Sequence, residues 1–318
     1  MMERALGIDL GGTHVRVALL DAHGKVLGQR KHHLRHRDPE AIAKEMSALA
    51  RELGIEGESL PVTVAVAGWI WKETGMVALA PNLGWKDQPF AQLLGKELHA
   101  PVRLVNDLDA ITYGEAKVGA GEGSADVVCV FVGTGVGMGA LVHGVLLEGA
   151  DGVATELGHT KIASITDGRK CGCGQRGCLE AYAGGRHLGA LLAEKVASGL
   201  ASPLAEKVVS TPSEIDAADL ERGYLAGDAA ETAVVTEMAA HLARAIGNVV
   251  TILNPRVVVV GGGVFDHAPH LTALIKQQAI DYIPEPHRTS LAIRDSRLGD
   301  DAGLVGAGLL ALHAAADP

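Results

Sequence analysis

Aromatic side chains are scarce in this chain: three Phe, four Tyr and three Trp make up 3% of its 318 residues. Stacking on successive nucleobases is therefore not its main work. Positive charge is short as well. Lys and Arg number 28 against 38 Asp and Glu, a net charge of −10, which argues against nucleic acid as a partner. A small anion held by backbone amides remains allowed. Long apolar runs are missing, and none approaches the ~20 residues that span a membrane. The opening stretch MMERALGIDLGG carries charges and shows no signal-peptide pattern. Only four cysteines are present, which fits a reducing compartment better than a disulfide scaffold. The expectation is a cytoplasmic protein without membrane or nucleic-acid partners.

Hydrophobic residues are plentiful at 47%. That suffices for a large core, and at this length more naturally for two lobes than one. Three of the cysteines fall in one stretch, Glu156 to Glu180, reading ELGHTKIASITDGRKCGCGQRGCLE. Together with His159, Cys171, Cys173 and Cys178 make a tetrahedral set suited to a structural zinc. Gly172, Gly174 and Gly177 allow the tight folding that neighbouring ligands need. Cys-x-Cys is too tight for easy local bridging, and Cys129 lies in an apolar run where a thiol is buried and inert. The alternative is a set of free surface cysteines. Glu156 and His159 open the stretch and Glu180 closes it. The metal would clamp these hydrogen-bonding groups toward a polar ligand, although either acid alone could simply be solvated. The glycine turns described below lie on other strands and contain no metal ligand. Metal loss should therefore weaken that polar ligand far more than a phosphate compound.

Residues 5–10 form a short apolar run and so a buried strand. Gly11, Gly12 and Thr13 follow, then alternating VRVALLD (15–21), a turn, and KVLGQRK as a third strand. Amides in such a turn can cradle phosphate oxygens. Asp9 would repel phosphate unless a cation lay between them, which points to Mg2+. A plain hairpin with a buried Asp is the competing reading. Residues 127–147 repeat the architecture, with Gly133, Thr134 and Gly135 in the turn. This internal repeat suggests two related lobes, and two turns grip a polyphosphate better than one. NPRVVVVGGGV (254–264) is an apolar strand running into Gly261, Gly262 and Gly263, where backbone can approach a flat ligand such as a nucleobase.

Asp38 as cap, Pro39 at the first position and Gly54 as the stop mark a helix. VTVAVAG (62–68) reads as a strand, and 73–85 as a loop with short extended pieces. PVRLVND (101–107) reads as a strand delivering Asn106 and Asp107 at its carboxyl end, where open α/β sheets place their chemistry. Asp107 could equally be a helix N-cap. His32, His33 and His36 lack acidic or thiol neighbours in sequence and read as solvated. Helical spacing recurs after the cysteine stretch, near 269–281, and in a small-residue helix at the end. Residues 200–228 suggest no chemistry.

DLGGTHVRVALLD (9–21), PNLGW (81–85), VND (105–107), GTGVGMG (133–139), ELGH (156–159), CGCGQRGCLE (171–180) and VVVVGGGV (257–264) occur in one order. Together they resemble the ROK family of sugar kinases and repressors, its glucokinase branch most closely. The resemblance implies an α/β, two-lobed, actin-like (ribonuclease H-like) ATPase fold with a structural zinc module at 156–180. Residues 1–108 would form the small lobe, joined by a C-terminal helix at 300–318, and 109–299 the large lobe. It implies ATP-dependent phosphorylation of a hexose at the 6-hydroxyl, glucose first, with N-acetylmannosamine or fructose as alternatives, and a homodimer or tetramer. Asp107 matches the catalytic base. Asn82, Asn106, Glu156, His159 and Glu180 match sugar-binding positions, His159 serving zinc as well. Gly11, Gly12, Thr13, Gly133, Thr134 and Gly135 match phosphate turns. Ala67, Trp71, Val105 and Thr155 depart from the family pattern. The family's repressors carry a helix-turn-helix before the first turn, and only eight residues precede Asp9 here, so a regulator is the weaker reading.

Overall fold

Strand β1 (Arg4–Leu10) runs through the core, with Ala5, Leu6, Ile8 and Leu10 all buried. It pairs antiparallel with β2 (His14–Asp21), which pairs in turn with β3 (Val26–His33). β4 (Val62–Val66) lies parallel to β1 on its other side. Three short strands follow: β5 (Trp69–Trp71), β6 (Met76–Ala80) and β7 (Trp85–Gln88). β8 (Val102–Asn106) then pairs parallel with β4 and completes the sheet β3-β2-β1-β4-β8. The computed structural model describes residues 3–55 and 60–316.

The second sheet contains β9 (Val127–Val132), β10 (Val136–Val142), β11 (Val145–Leu146), β12 (Val257–Gly261) and β13 (Ala292–Asp295). Its order is β11-β10-β9-β12-β13. Both sheets thus consist of three consecutive strands followed by two later ones beyond the first. The repeated Gly/Thr turns of the sequence are the β1–β2 and β9–β10 connections of these matching sheets. Among the described residues no helix is long and apolar enough to cross a membrane.

The chain divides into two compact units. The first comprises residues 1–129, 139–155 and 296–318, and the second 130–138 and 156–295. The boundary expected after residue 108 therefore falls later. The reason is packing of the helix Asp107–Val118 on the last helix, Ala302–Ala316. A Cβ at Gly306 would lie 1.7 Å from the Ala110 carbonyl oxygen, and one at Gly114 2.7 Å from that of Ala302. Only hydrogen fits at these crossings. The last helix also covers β1, where a Cβ on Gly7 would lie 2.4 Å from the Leu304 carbonyl oxygen. Residues 317–318 of the expected helix lie outside the described residues.

Two local expectations change. The short extended pieces expected within 73–85 are β6 and the start of β7, and they belong not to a free loop but to the three-stranded sheet β5-β6-β7. Its strands are short, and the register shifts between Trp69 and Ile70, so no alternation shows in sequence. The histidines near residue 33 do have an acidic neighbour. Glu45, on the helix Pro39–Arg51, places its carboxylate 3.3 Å from His32 Nδ1 and 3.9 Å from His36 Nε2.

Thr155 has φ +64°. A β-branched residue is a true outlier there, and such backbone costs about 1–3 kcal/mol. Thr155→Gly is expected to raise unfolding free energy by about 1 kcal/mol, after the entropy cost of glycine is subtracted. A urea titration checks this, and a stability equal to or below that of the unchanged protein would show that no strain is stored at 155.

Candidate active site and metal centre

In the first unit, β8 ends at Asn106, and the helix Asp107–Val118 begins at once. The N-cap is Asn106: its Oδ1 accepts from Leu108 N at 2.8 Å, and its Nδ2 donates to Gly68 O at 3.0 Å. Asp107 is thus the first helical residue rather than the cap, although its Oδ1 also accepts from Leu108 N at 3.0 Å. Its recessed position strips water from the carboxylate, and Asp9 adds like charge. Burial first and Asp9 second push its pKa up to about 7. A carboxyl group with that value can take a proton near neutral pH, which suits a general base.

Asp9 is the penultimate residue of β1, and its carboxylate is already paired. Arg16 on β2 donates to Asp9 Oδ2 from Nη2 at 2.6 Å and Nε at 3.1 Å, and Arg16 Nη1 reaches Asp301 Oδ1 at 3.3 Å. The cation that charge balance required beside Asp9 is therefore supplied by the chain itself. Charge repulsion at Asp9 does not by itself require Mg2+, because Arg16 meets the need. Arg16 escaped sequence reasoning. The available signal was a guanidinium inside an otherwise apolar strand, VRVALL.

Both glycine turns spend their first amide internally. Gly11 N donates to His14 O at 3.0 Å, and Gly133 N to Gly135 O at 3.0 Å. Gly12, Thr13, Thr134 and Gly135 remain the phosphate candidates. Gly12 also has a packing reason, since a Cβ there would lie 2.9 Å from Asn82 Cβ. This brings exposed Asn82 to the first turn. Gly262, at φ +94°, approaches the chain's own Val132, with a Cβ position 2.9 Å from that carbonyl oxygen. Its close approach is thus explained without a ligand. Beyond β12 lies a cavity of about 470 Å³ lined by Val260, Phe265 and Lys276 among others, and none of the expected site residues lines it.

In the second unit, His159, Cys171, Cys173 and Cys178 offer ligand atoms that all lie within 4.8 Å of one another. Cys171 Sγ is 3.7 Å from His159 Nδ1, and Cys173 Sγ is 3.7 Å from Cys178 Sγ. A tetrahedron with Zn–S of ~2.3 Å has S–S edges of about 3.8 Å. The four residues thus fit a zinc ion. Burial is the main cause that pushes the Cys171 thiol up to about 12, so metal binding there must displace a proton. Two backbone ladders shape the loop: Ile162 N donates to Gly177 O at 2.9 Å, and Cys171 N to Gln175 O at 2.8 Å.

His159 turns its other nitrogen away from the thiols, with Nε2 3.8 Å from Glu156 Oε2. Glu180 is buried at the start of the helix Glu180–Ala183. Its Oε1 is 3.7 Å from Cys171 Sγ, and its Oε2 accepts from Val136 N at 3.2 Å. A Cβ on Gly135 would lie 2.2 Å from that Oε2. Gly185 N and Arg186 N donate to Gly133 O and Thr134 O, at 2.8 and 3.0 Å. The cysteine module and the second glycine turn are therefore bonded to each other. Their expected independence is corrected, and Glu180 is the reason: sequence distance hid a direct contact.

The ROK family model matches residues 5–314. The chain is 33% identical to a glucokinase of Thermotoga maritima, covering 96% of each chain. It is 31% identical to an N-acetylmannosamine kinase of Haemophilus influenzae, covering 96% of this chain and 94% of that one. A ROK family glucokinase from Streptomyces griseus, solved with glucose and AMPPNP, is similar with a TM-score of 0.79 and 28% identity, covering 98% of this chain and 99% of that one. With a family model spanning nearly its whole length, this α/β chain with matching sheets and a Cys3His cluster belongs to the ROK family.

Proposed function

We propose that this ROK-family phosphotransferase moves the γ-phosphoryl group of ATP to the 6-hydroxyl of glucose. The observation that carries this reading is Asp107, held just beyond β8 at the start of the helix Asp107–Val118, with its pKa pushed up to about 7. The likeness to named glucokinases over nearly the full chain supports the acceptor.

Phosphoryl transfer needs positioning and charge neutralisation more than covalent help. Asp107 accepts the hydroxyl proton as O6 attacks phosphorus in line. The O6–P bond forms, the bond from phosphorus to the bridging oxygen breaks, and ADP leaves. A sugar hydroxyl is too weak an acid to ionise first, so its proton moves late. Amides of Gly12, Thr13, Thr134 and Gly135 hold phosphate oxygens, and Gly261 and Gly263 accompany the nucleoside. Asn82, Asn106, Glu156, His159 and Glu180 hold sugar hydroxyls. Asn106 uses one amide proton on Gly68, leaving its second for the sugar. Asp9 and Arg16 would set the charge beside a Mg2+ brought with ATP, which would supply neutralisation of phosphate charge. His159 would hold zinc through Nδ1, the nitrogen that faces Cys171 Sγ, which would leave Nε2 for a hydroxyl.

A second acceptor, N-acetylmannosamine, is favoured by the kinase of that name among the relatives. A panel of glucose, fructose and N-acetylmannosamine, each with Mg-ATP or polyphosphate, tests the reading through release of ADP and sugar phosphate. Glucose with ATP is expected to give the highest kcat/KM. If no hexose stimulates ADP release, the kinase reading is lost. If N-acetylmannosamine leads, only the acceptor changes.

A further inference from the structure

Beside the cysteine cluster lies a cation with no assigned task. Lys161 is exposed, yet its Nζ donates to Sγ of fully buried Cys178 at 2.8 Å. The backbone sets this contact. Lys161 and Cys178 face each other across an antiparallel bridge, flanked by Leu179 N to Thr160 O at 3.0 Å and Ile162 N to Gly177 O at 2.9 Å. The lysine is thus delivered to the sulfur by chain geometry rather than by chance collapse of a long side chain. Three arginines in or near the module have other partners: Arg169 pairs with Glu194, Arg176 donates to Gly168 O and Arg186 to Thr134 O.

We propose that Lys161 is the charge-compensating positioning residue of the metal centre. Three thiolates and a neutral imidazole around a divalent ion leave a net charge of −1. An ammonium donating to one thiolate brings the centre to neutrality. It also draws electron density from sulfur, which lowers the nucleophilicity of Cys178 and slows loss of the ion. Charge-assisted hydrogen bonds are roughly twice as strong as neutral ones, and partners just outside a metal's ligands commonly set affinity within 10–100-fold. The neighbouring cysteines differ. Cys171 has the carboxylate of Glu180 nearby rather than a cation, and Cys173 is exposed. Cys178 is therefore the ligand that Lys161 protects.

This inference rests on the zinc reading of the cluster, and the test separates the two. Zinc-loaded protein, Lys161→Met and Lys161→Arg are titrated with a chromophoric chelator, following zinc transfer at equilibrium and over time. Alkylation of Cys178 by iodoacetamide is followed in parallel by mass spectrometry. Lys161→Met is expected to bind zinc about 10–100-fold more weakly and to release it and alkylate faster. Lys161→Arg should restore most of the affinity, and the metal-free proteins should melt alike. A Lys161→Met protein that holds zinc within about twofold of the unchanged protein overturns the role of Lys161 and leaves the centre intact. Equal losses in Lys161→Met and Lys161→Arg overturn charge compensation. An unchanged protein that takes up no zinc overturns the centre and the role of Lys161 together.

Discussion

Asp107→Asn is expected to cut turnover by about 10²–10⁴-fold, the usual cost of losing a general base, while nucleotide still binds. Asparagine keeps the side chain's size, and its Oδ1 can still accept from Leu108 N. The loss would therefore report the missing base and not a broken helix start, whose cap is Asn106. The carboxyl pKa of about 7 gives a second signature. Below that pH the base is protonated, so kcat/KM should fall about tenfold per unit of acidification. The variant should lack this limb. Stability carries the opposite sign. A carboxyl whose folded pKa lies above its unfolded value favours folding when protonated, and that contribution is lost as pH rises from about 4 through 7. Asp107→Asn should therefore melt higher than the unchanged protein at pH 8 and about the same at pH 3. Turnover within a few-fold of the unchanged protein, or a pH limb that persists, would reduce Asp107 to a helical residue of no chemical consequence.

The second large effect concerns metal removal. Stripping zinc, or replacing Cys171 and Cys173 with Ser, should weaken glucose binding by at least about tenfold, since His159 would lose its anchor. ATP binding should fall as well. Glu180 lies near Cys171 Sγ with one oxygen and accepts from Val136 N with the other. Gly185 and Arg186, just beyond the same short helix, hold the carbonyls of Gly133 and Thr134. A loosened cysteine loop thus releases the turn that would cradle phosphate. Calorimetric titration of each ligand into metal-free protein measures both losses. Unaltered ATP affinity alongside lost glucose affinity would mean that the Glu180 contact transmits nothing, and the module would then be a clamp for the sugar alone.

What could be read from sequence was local. The Cys3His cluster was legible because its ligands lie within 20 residues and their chemistry is unambiguous at that spacing. The two meanders were legible because each is three short apolar runs joined by glycine turns. The hidden features join residues far apart. Arg16 and Asp301 meet across 285 positions. The helix Asp107–Val118 sits in the first unit because its partner is the last helix, which no local pattern announces. Asn106 and Asp107 are both good caps by composition, and only backbone geometry chose between them. Thr155 shows no sign of its left-handed backbone, because its residue type argues against one.

The placement of the last helix sets an order of events during synthesis. β1 leaves the ribosome long before the helix that covers it, Ala302–Ala316. At about 5–20 residues per second, the strand waits roughly 15–60 s for its cover. The second unit's long segment, 156–295, is complete before that moment. The nascent chain therefore keeps an open apolar sheet after the second unit is complete, and chaperone demand should fall on that sheet rather than on the part made later.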